Sequence, residues 1–490
     1  MNTPEATRAP VTPWLIQGGM GIAISGWPLA RAVATAGQLG VVSGTAINTV
    51  FARRLQDHGV DEALGRVLAR FPVQGVVDEV LGHYASSRRA KDTPYRNVPM
   101  LTLHSSQRSI DLLVLASYVE VALAKEGHDG LIGINLLTKV QIPTLATLFG
   151  AILADVDYVM MGAGVPTNIP GILDDLARGQ RAEMALQVIG GANLDPAPVI
   201  SFDPERYASA ATLRRPKFLG IVSGHVLATA LAKRSNGPVD GFVVERPVAG
   251  GHNAPPRGAL VLDDAGNPNY GERDRVDYDV LRSLDRPFWI GGGVTTSDDV
   301  TTAWSLGAAG VQVGTLFAYC QESGLDPALR REVIDLVRQG PVSVSTSTHA
   351  SPTGYPFKVA SVPGTVSDHR VYEERERKCD LGFLREAYLR DDGSLGYRCS
   401  AEPVATYIRK GGLVEETEDR TCLCNGLMAT CGLAQVRSDG HQEPAIVTSG
   451  DCINEIAILL GDSSGYSAAD VIAHLQPSIA REHRDAVVAT

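Results

Sequence analysis

Short apolar runs that end in glycine recur along the chain, and each is followed by a stretch of helical periodicity. Eight stand out: WLIQGGMG (14–21), LGVVSG (39–44), LIGINLL (131–137), YVMMGAG (158–164), FLGIVSG (218–224), GFVVERPVAGGH (241–252), FWIGGGV (288–294) and GVQVGTLF (310–317). Runs of this length and composition fit strands, and strands alternating with helices build parallel sheets from βαβ units. Eight such units predict an α/β protein, a (β/α)8 TIM barrel.

The intervening segments carry the helical signal. PLARAVATAG (28–37) places Leu29, Ala32, Val33 and Ala36 on one face and stops at Gly37. TTSDDVTTAWSLGA (295–308) predicts a helix capped by Ser297, with acids in its first turn and Gly307 at its end. SGHVLATALAKRSNG (223–237) reads as another crossover helix. Three segments break the rhythm. Residues 51–100 are too long for one crossover and predict an inserted helical segment. QVIGGANLDPAPVISFDP (187–204) reads as a hairpin or extended excursion. Beyond about residue 340 the alternation stops, leaving an amphipathic helix near 467–475 and a charged run, ERERK (374–378), expected to be a solvated helix face. The expected organisation is therefore a barrel over residues 1–340 and a C-terminal, cysteine-containing extension over 341–490.

Composition narrows the class. Of 490 residues, 44% are hydrophobic, enough for a large core, and acids outnumber bases 55 to 44. A net charge of −11 argues against a nucleic-acid partner, which needs a basic face. Anionic small ligands stay open, because phosphate sites are built locally from backbone N–H groups. No apolar run reaches the ~18 residues of a membrane span. The polar opening MNTPEATRAPVTPW suggests no secretory leader, and seven cysteines suit a reducing compartment, so a cytoplasmic protein is expected.

The last two strand runs end in IGGGV (290–294) and QVGT (312–315). Loops after the seventh and eighth strands of barrels often hold phosphate, and glycines there let backbone N–H groups approach its oxygens. Gly292, Gly293, Gly314 and the Thr315 hydroxyl are the candidates. Glycines that merely turn the chain are the alternative, but two such ends in succession favour phosphate. No dinucleotide fingerprint, GxGxxG opening a helix after a strand, is found in its expected context.

With these motifs in place, the chain resembles the nitronate monooxygenase family, formerly 2-nitropropane dioxygenase, whose members are FMN-dependent barrels. The resemblance rests on IQGGMGIAISGWPLARAVATAGQLGVVSGT, on AGGH (249–252) and on IGGGVTTSDDVTTAWSLGAAGVQVGTLF, with a weaker likeness in SPTGYPFK (351–358). It covers roughly residues 13–320. The first and last motifs are shared with FMN-dependent enoyl reductases of fatty-acid and polyketide synthesis. The resemblance implies that Gly19, Met20 and Gly21 line the flavin ring, and that Ser43, Gly44 and Asn135 lie beside it. It implies phosphate binding by Gly292, Gly293, Gly314 and Thr315.

His252 follows two glycines at the end of the sixth run, where barrels place reacting groups. Imidazole titrates near neutrality and can move a proton. Gly250 and Gly251 let the backbone pass close to a flat cofactor. The resemblance implies a position for His252 near the flavin's reactive nitrogen, in substrate deprotonation or anion binding. The other histidines, such as His58, His83 and His128, read as ordinary hydrogen-bonded side chains. The family has glycine two residues after this histidine; here HNAPPRG intervenes, with Arg257 before Gly258. That longer loop looks closer to enoyl reductases acting in trans. Arg257 reads equally as a surface residue or as a binder of an anionic substrate or a carrier phosphate. Tyr355 and Lys358 are weaker pocket candidates.

Cys379, Cys399, Cys422 and Cys424 crowd into 46 residues of the extension. Thiolates suit zinc or an iron–sulfur cluster, so this set is a candidate structural metal site, with buried inert thiols as the alternative. A CxC in place of CxxC departs from the usual zinc spacing. Cys320 and Cys452 read as core thiols.

The leading functional expectation is an FMN-dependent oxidoreductase that oxidises alkyl nitronates with O2 to a carbonyl compound and nitrite. The alternative is an NAD(P)H-dependent enoyl-thioester reductase acting in trans in polyketide or fatty-acid biosynthesis. A non-catalytic flavoprotein subunit is a third reading. The partners expected are a small-molecule substrate, an acyl carrier protein under the second reading, and a second copy of the chain; no membrane is expected.

Overall fold

The computed structural model of the protein describes residues 12–191, 194–207 and 212–478. Eight parallel strands form its central sheet: β1 (Leu15–Gln17), β2 (Gly40–Ser43), β3 (Ile132–Leu137), β4 (Tyr158–Gly162), β5 (Lys217–Val222), β6 (Gly241–Glu245), β7 (Phe288–Gly291) and β8 (Gly310–Val313). Each lies on one of the eight runs read from the sequence. Their order is β1-β8-β7-β6-β5-β4-β3-β2. A parallel bridge between Ile16 and Leu39 joins the two ends. Gln17 N donates to Leu39 O at 3.0 Å and Leu39 N to Leu15 O at 3.1 Å, so the sheet closes into a (β/α)8 barrel.

Nearly continuous burial along the strands follows from this closure. Both faces of a parallel barrel strand are covered, one by the other strands and one by helices. Ile16, Leu39, Val41, Tyr158, Met160, Leu219, Val243 and Trp289, drawn from six strand regions, form one apolar cluster. Their neighbours along the strands, such as Leu15, Val42, Val159, Phe218, Val244 and Ile290, join the larger cluster with the helices. Trp289 satisfies its indole N–H on Pro13 O at 2.8 Å.

The helix Trp27–Thr35 buries Leu29, Ala30, Val33 and Ala34. The helix Ser297–Ser305 is capped by Thr296 rather than Ser297: Thr296 Oγ1 takes the Asp299 N–H while the Asp299 carboxylate takes the Thr296 N–H. The inserted segment is helical as expected, with Ile47–His58, Glu62–Ala69 and Gln74–Tyr84 leading to Gln107–Lys125. In the excursion, Ala182–Ala185 pairs antiparallel with Val199–Phe202.

The extension from residue 341 wraps back over the barrel. Its Glu386–Leu389 and Leu395–Arg398 hairpin takes Val188–Ile189 of the excursion as a parallel third strand. The helix Ala468–Leu475 lies against Trp27–Thr35. Ile453, Ile456 and Leu475 share one core cluster with the barrel. The ERERK run is not a solvated helix face. The helix His369–Glu374 ends as the run begins, and Arg375 and Arg377 turn inward to the carbonyls of Arg420 and Thr417. Buried carbonyls that need donors outweigh the exposure a charge run would otherwise favour.

A very tight backbone approach occurs in the barrel wall at the β1–β8 seam. A Cβ on Gly310 would lie 1.9 Å from the Trp14 carbonyl oxygen, which accepts the Val311 N–H at 2.9 Å. Gly310→Ala must therefore push β1 and β8 apart. It should lower stability by about 2–3 kcal/mol, read as a lower denaturant midpoint at unchanged slope. An unchanged midpoint would mean the seam yields freely.

Candidate active site

The carboxyl ends of the strands surround a cavity of about 230 Å³, roofed by the extension. From the barrel it is lined by Gly19, Met20, Gly21, Asn135, Gly250, Gly251, His252, Gly292, Gly293, Gly314 and Thr315. Ser43 and Gly44, expected beside the cofactor, do not line it. The Ser43 hydroxyl sits behind Gly21, and Thr45 takes its place on the wall. The strand ends at Ser43, so Thr45 lies in the turn beyond it, where strict alternation of side chains no longer holds.

The glycine-rich ends form a shaped turn. Gly292 and Gly293 have φ of +89° and +65°, the left-handed region that favours glycine. Arg246 braces this turn from behind, Nε donating to Gly292 O at 2.8 Å. It thereby puts a positive charge next to the backbone N–H groups. Gly314 precedes the short helix Thr315–Ala318. A Cβ built on Gly314 meets only Met20, with Sδ at 3.7 Å. The Thr315 hydroxyl already accepts the Gly450 N–H of the extension at 3.0 Å and retains its proton to donate.

Among the buried polar atoms of the cavity wall that lack a partner are the amide oxygens Asn135 Oδ1 and Gln312 Oε1. Asn135 is held by its other end, Nδ2 donating to Gly19 O at 2.7 Å. A planar, heteroatom-rich ring beside Gly19–Gly21, with a phosphate at the Gly292–Gly293 and Gly314 turns, fits these orphaned acceptors and this cradle. The residues therefore suit FMN.

His252 sits at the junction of barrel and extension. It forms an antiparallel bridge with Phe357 and packs edge-on against that ring at 4.8 Å. Its Nε2 shares a hydrogen bond of 2.7 Å with Ser351 Oγ. Burial pushes its pKa from 6.5 down to about 4, so it is neutral at pH 7. Glu245, the last residue of β6, was not anticipated. It lines the same cavity, and burial pushes its carboxyl from 4.5 up to about 7. Its signal in the sequence was a lone acid ending an apolar run, GFVVE.

A second cavity, of about 240 Å³, adjoins the first. The two share Ala163, Ile221, Glu245 and His252, and the second extends past Pro255, Arg257, Tyr270 and Tyr355. Tyr355 thus faces the second cavity, not the flavin-side one. Lys358 is buried in an ion pair with Asp451 at 2.6 Å and lines neither.

Cys379, Cys399, Cys422 and Cys424 do come together, close enough that neighbouring sulfurs reinforce the effect of burial, which pushes Cys379 up to about 12 and Cys399 and Cys422 well above their ordinary value. Among the described residues, however, no group of three or more His, Cys, Asp or Glu is arranged to hold a metal ion. All seven cysteines are free thiols. Cys422 and Cys424 pack instead with Ile22, Val50 and Met428. Cys424 and Cys452 reach the flavin-side cavity wall, so Cys452 is not simply a core thiol.

A family model described as nitronate monooxygenase matches residues 178–342. The match spans β5 to β8, His252 and both glycine-rich ends. The protein is an FMN-dependent oxidoreductase. No curated protein matches the chain. Among solved structures it is similar to FabK from Thermotoga maritima, with 16% identity, TM-score 0.46, and 98% of this chain and 96% of that one covered. It is similar to nitroalkane oxidase from Streptomyces ansochromogenes, with 14% identity, TM-score 0.45, and 97% of each chain covered. It is also similar to the enoyl reductase domain of MlnA from the macrolactin cluster of Bacillus amyloliquefaciens, with 10% identity, TM-score 0.46, and 97% of each covered. Likenesses this distant do not choose between reactions. No helix among the described residues is long and apolar enough to cross a membrane.

Two outcomes are expected. Gly314→Val projects a side chain into the phosphate turn, so the variant should fold but lose bound FMN. Full retention of the yellow colour would move the phosphate elsewhere. The folded protein disfavours charged His252, so its contribution to stability is complete above pH 6.5 and is lost as pH falls from 6.5 towards 4. Chemical denaturation of wild type and His252→Asn across that window should show a loss of roughly 1–3 kcal/mol that the variant lacks. Parallel curves would refute it.

Proposed function

We propose that the protein reduces the carbon–carbon double bond of an enoyl thioester, using NAD(P)H as electron source. The observation that supports this reading best is electrostatic. Among the described residues, no lysine or arginine lines the flavin-side cavity. His252 there is neutral, and the remaining acid, Glu245, is pushed towards its protonated form. A nitronate is an anion, and moving it from water to this wall would strip its hydration without supplying a cation. An enoyl thioester is neutral at its reacting carbons and suffers no such penalty.

FMN, when bound, would accept a hydride from nicotinamide and deliver it to the substrate. Asn135, Gln312 and the Gly19–Gly21 backbone would hold its ring, and Gly292, Gly293, Gly314 and Thr315 its phosphate. The chain's own part is to orient and to exclude water. His252, fixed through Nε2 on Ser351, has Nδ1 free to hydrogen-bond the thioester carbonyl. The second cavity gives room to the chain attached to the reacting carbons. Arg257 lies there, its guanidinium on Arg273 O at 3.1 Å with other donors free. It suits the phosphate of a carrier's pantetheine arm, which makes an acyl carrier protein the proposed donor. Seven free thiols suit a reducing compartment, and a cytoplasmic setting belongs to the same proposal.

Nitronate oxidation keeps one observation in its favour, the family-model match over residues 178–342. Anaerobic mixing separates the two. Under the reductase reading NADPH bleaches the flavin rapidly and crotonyl-pantetheine restores its colour. Slow or absent bleaching, with nitrite released from a nitronate in air, would replace this reading with the monooxygenase. Neither reaction, with flavin bound, would make the chain a partner subunit.

A further inference from the structure

Reduction of a double bond needs a proton as well as a hydride, and the flavin-side cavity contains few groups able to give one. Neutral His252 is a weak acid. Tyr319 is pushed further above its ordinary value by burial, and Cys452 is raised likewise. Buried Cys424 is raised too. Glu245 differs from all of these. It ends β6, at the face of the barrel where the strands' carboxyl ends meet the cavity. Among the described residues its carboxyl has no hydrogen-bond and no ion-pair partner. The adjacent Arg246 is turned away to Gly292 O. The nearby carboxylate of the second cavity, Asp274, is engaged by the Arg257 and Gly271 N–H groups. The buried carboxylates Asp111 and Glu120 of the barrel, by contrast, are each paired with an arginine. An unpaired acid left open to two cavities is not there to hold the fold together.

We propose that Glu245 is the proton donor of this site. The inference rests on the enoyl-reductase reading. As a hydride reaches the β-carbon and forms a C–H bond there, the π pair of the double bond moves to the α-carbon and takes the Glu245 proton, forming the second C–H bond. The carboxylate left behind is reprotonated by water through the second cavity, past Tyr270 and Arg257. The two electrons come from reduced nicotinamide by way of the flavin, and one proton is consumed from solvent per turnover. Glu245 is suited to this because it borders both spaces: the reacting carbons on one side and the route to solvent on the other. His252, bordering the same two spaces but held on Ser351, positions the carbonyl.

The test uses Glu245→Gln, which keeps shape and polarity and removes the proton. In the flavin-free protein, infrared difference spectra should show a buried protonated carboxyl band that titrates near neutrality and is missing from the variant. Its absence from wild type would overturn the proposal. In the FMN-loaded variant, anaerobic bleaching by NADPH should match wild type, which also shows that the variant folds. Return of colour with crotonyl-pantetheine should slow by roughly 100- to 10,000-fold. Glu245→Asp, with the carboxyl drawn back by one methylene, should recover part of that rate. Reoxidation of Glu245→Gln at the wild-type rate would exclude Glu245 as donor while leaving the reductase reading intact. Failure of wild type to react with NADPH or with the thioester would instead sink the reductase reading, and the donor role with it, whatever the infrared band shows.

Discussion

Desolvation at the carboxyl ends of the barrel strands governs what this site can hold. A wall made of glycine backbone, aliphatic side chains and a few neutral polar groups cannot stabilise a charge unless a fixed dipole or an ion stands opposite it. At the Gly292–Gly293 turn that requirement is met. Backbone N–H groups face the space, and Arg246 stands behind them on the Gly292 carbonyl. At the reacting end, near His252, nothing comparable is present. The same low-dielectric wall therefore acts in opposite directions on its two titratable groups. It favours the neutral imidazole by lowering its pKa and the neutral carboxyl by raising its pKa. The two opposite shifts are one property of the wall.

Most of the barrel was readable because its strands are fully buried. A strand covered on both faces must be apolar along its whole length, so it appears as a run rather than an alternation. Each run had to end where the chain turned at the cavity, and glycine marked the place. That is why Gly19, Gly250, Gly292 and Gly314 could be placed on the site from spacing and resemblance together. Ser43 and Gly44 failed for a local reason. The sequence shows that a strand ends there, but which of Ser43, Gly44 and Thr45 points into the barrel depends on a register set by β3. Thr296 displaced Ser297 as cap because both are competent hydroxyls, and the choice turned on Asp299 being three residues from one of them. Composition also misled at ERERK. Its arginines turn inward to the carbonyls of Thr417 and Arg420, some 40 residues away. No local pattern can report a partner that distant.

The extension carries the least legible part of the site. Thr448, Ser449, Gly450 and Cys452 line the flavin-side cavity, as do Leu423 and Leu427. None lies within a motif that announces a ligand. Their positions depend on one close approach: a Cβ on Gly250 would come within 2.8 Å of the Ser449 backbone, and Gly450 donates to the Thr315 hydroxyl at 3.0 Å. The glycines before His252 thus have a second use besides admitting a flat cofactor. They let a strand of the extension lie directly against the loop after β6. The same contact fixes His252, whose bridge to Phe357 and bond to Ser351 both reach into the extension.

It follows that chemistry and selectivity are divided between two parts of the chain. The barrel ends supply the cofactor cradle, which depends on backbone and so tolerates little change. The roof and the HNAPPRG loop supply the side chains that surround whatever approaches the flavin. These carry no cation at the flavin-side cavity, and Arg257 is set off in the second cavity. A substrate that matches this division carries its charge at a distance from its reacting carbons. A thioester on a long phosphorylated arm has that layout, whereas in a nitronate the charge lies on the reacting group itself. The loop after His252 carries this separation: Pro255 and Arg257 line the second cavity and not the first, and Glu245 and His252 stand where the two spaces meet.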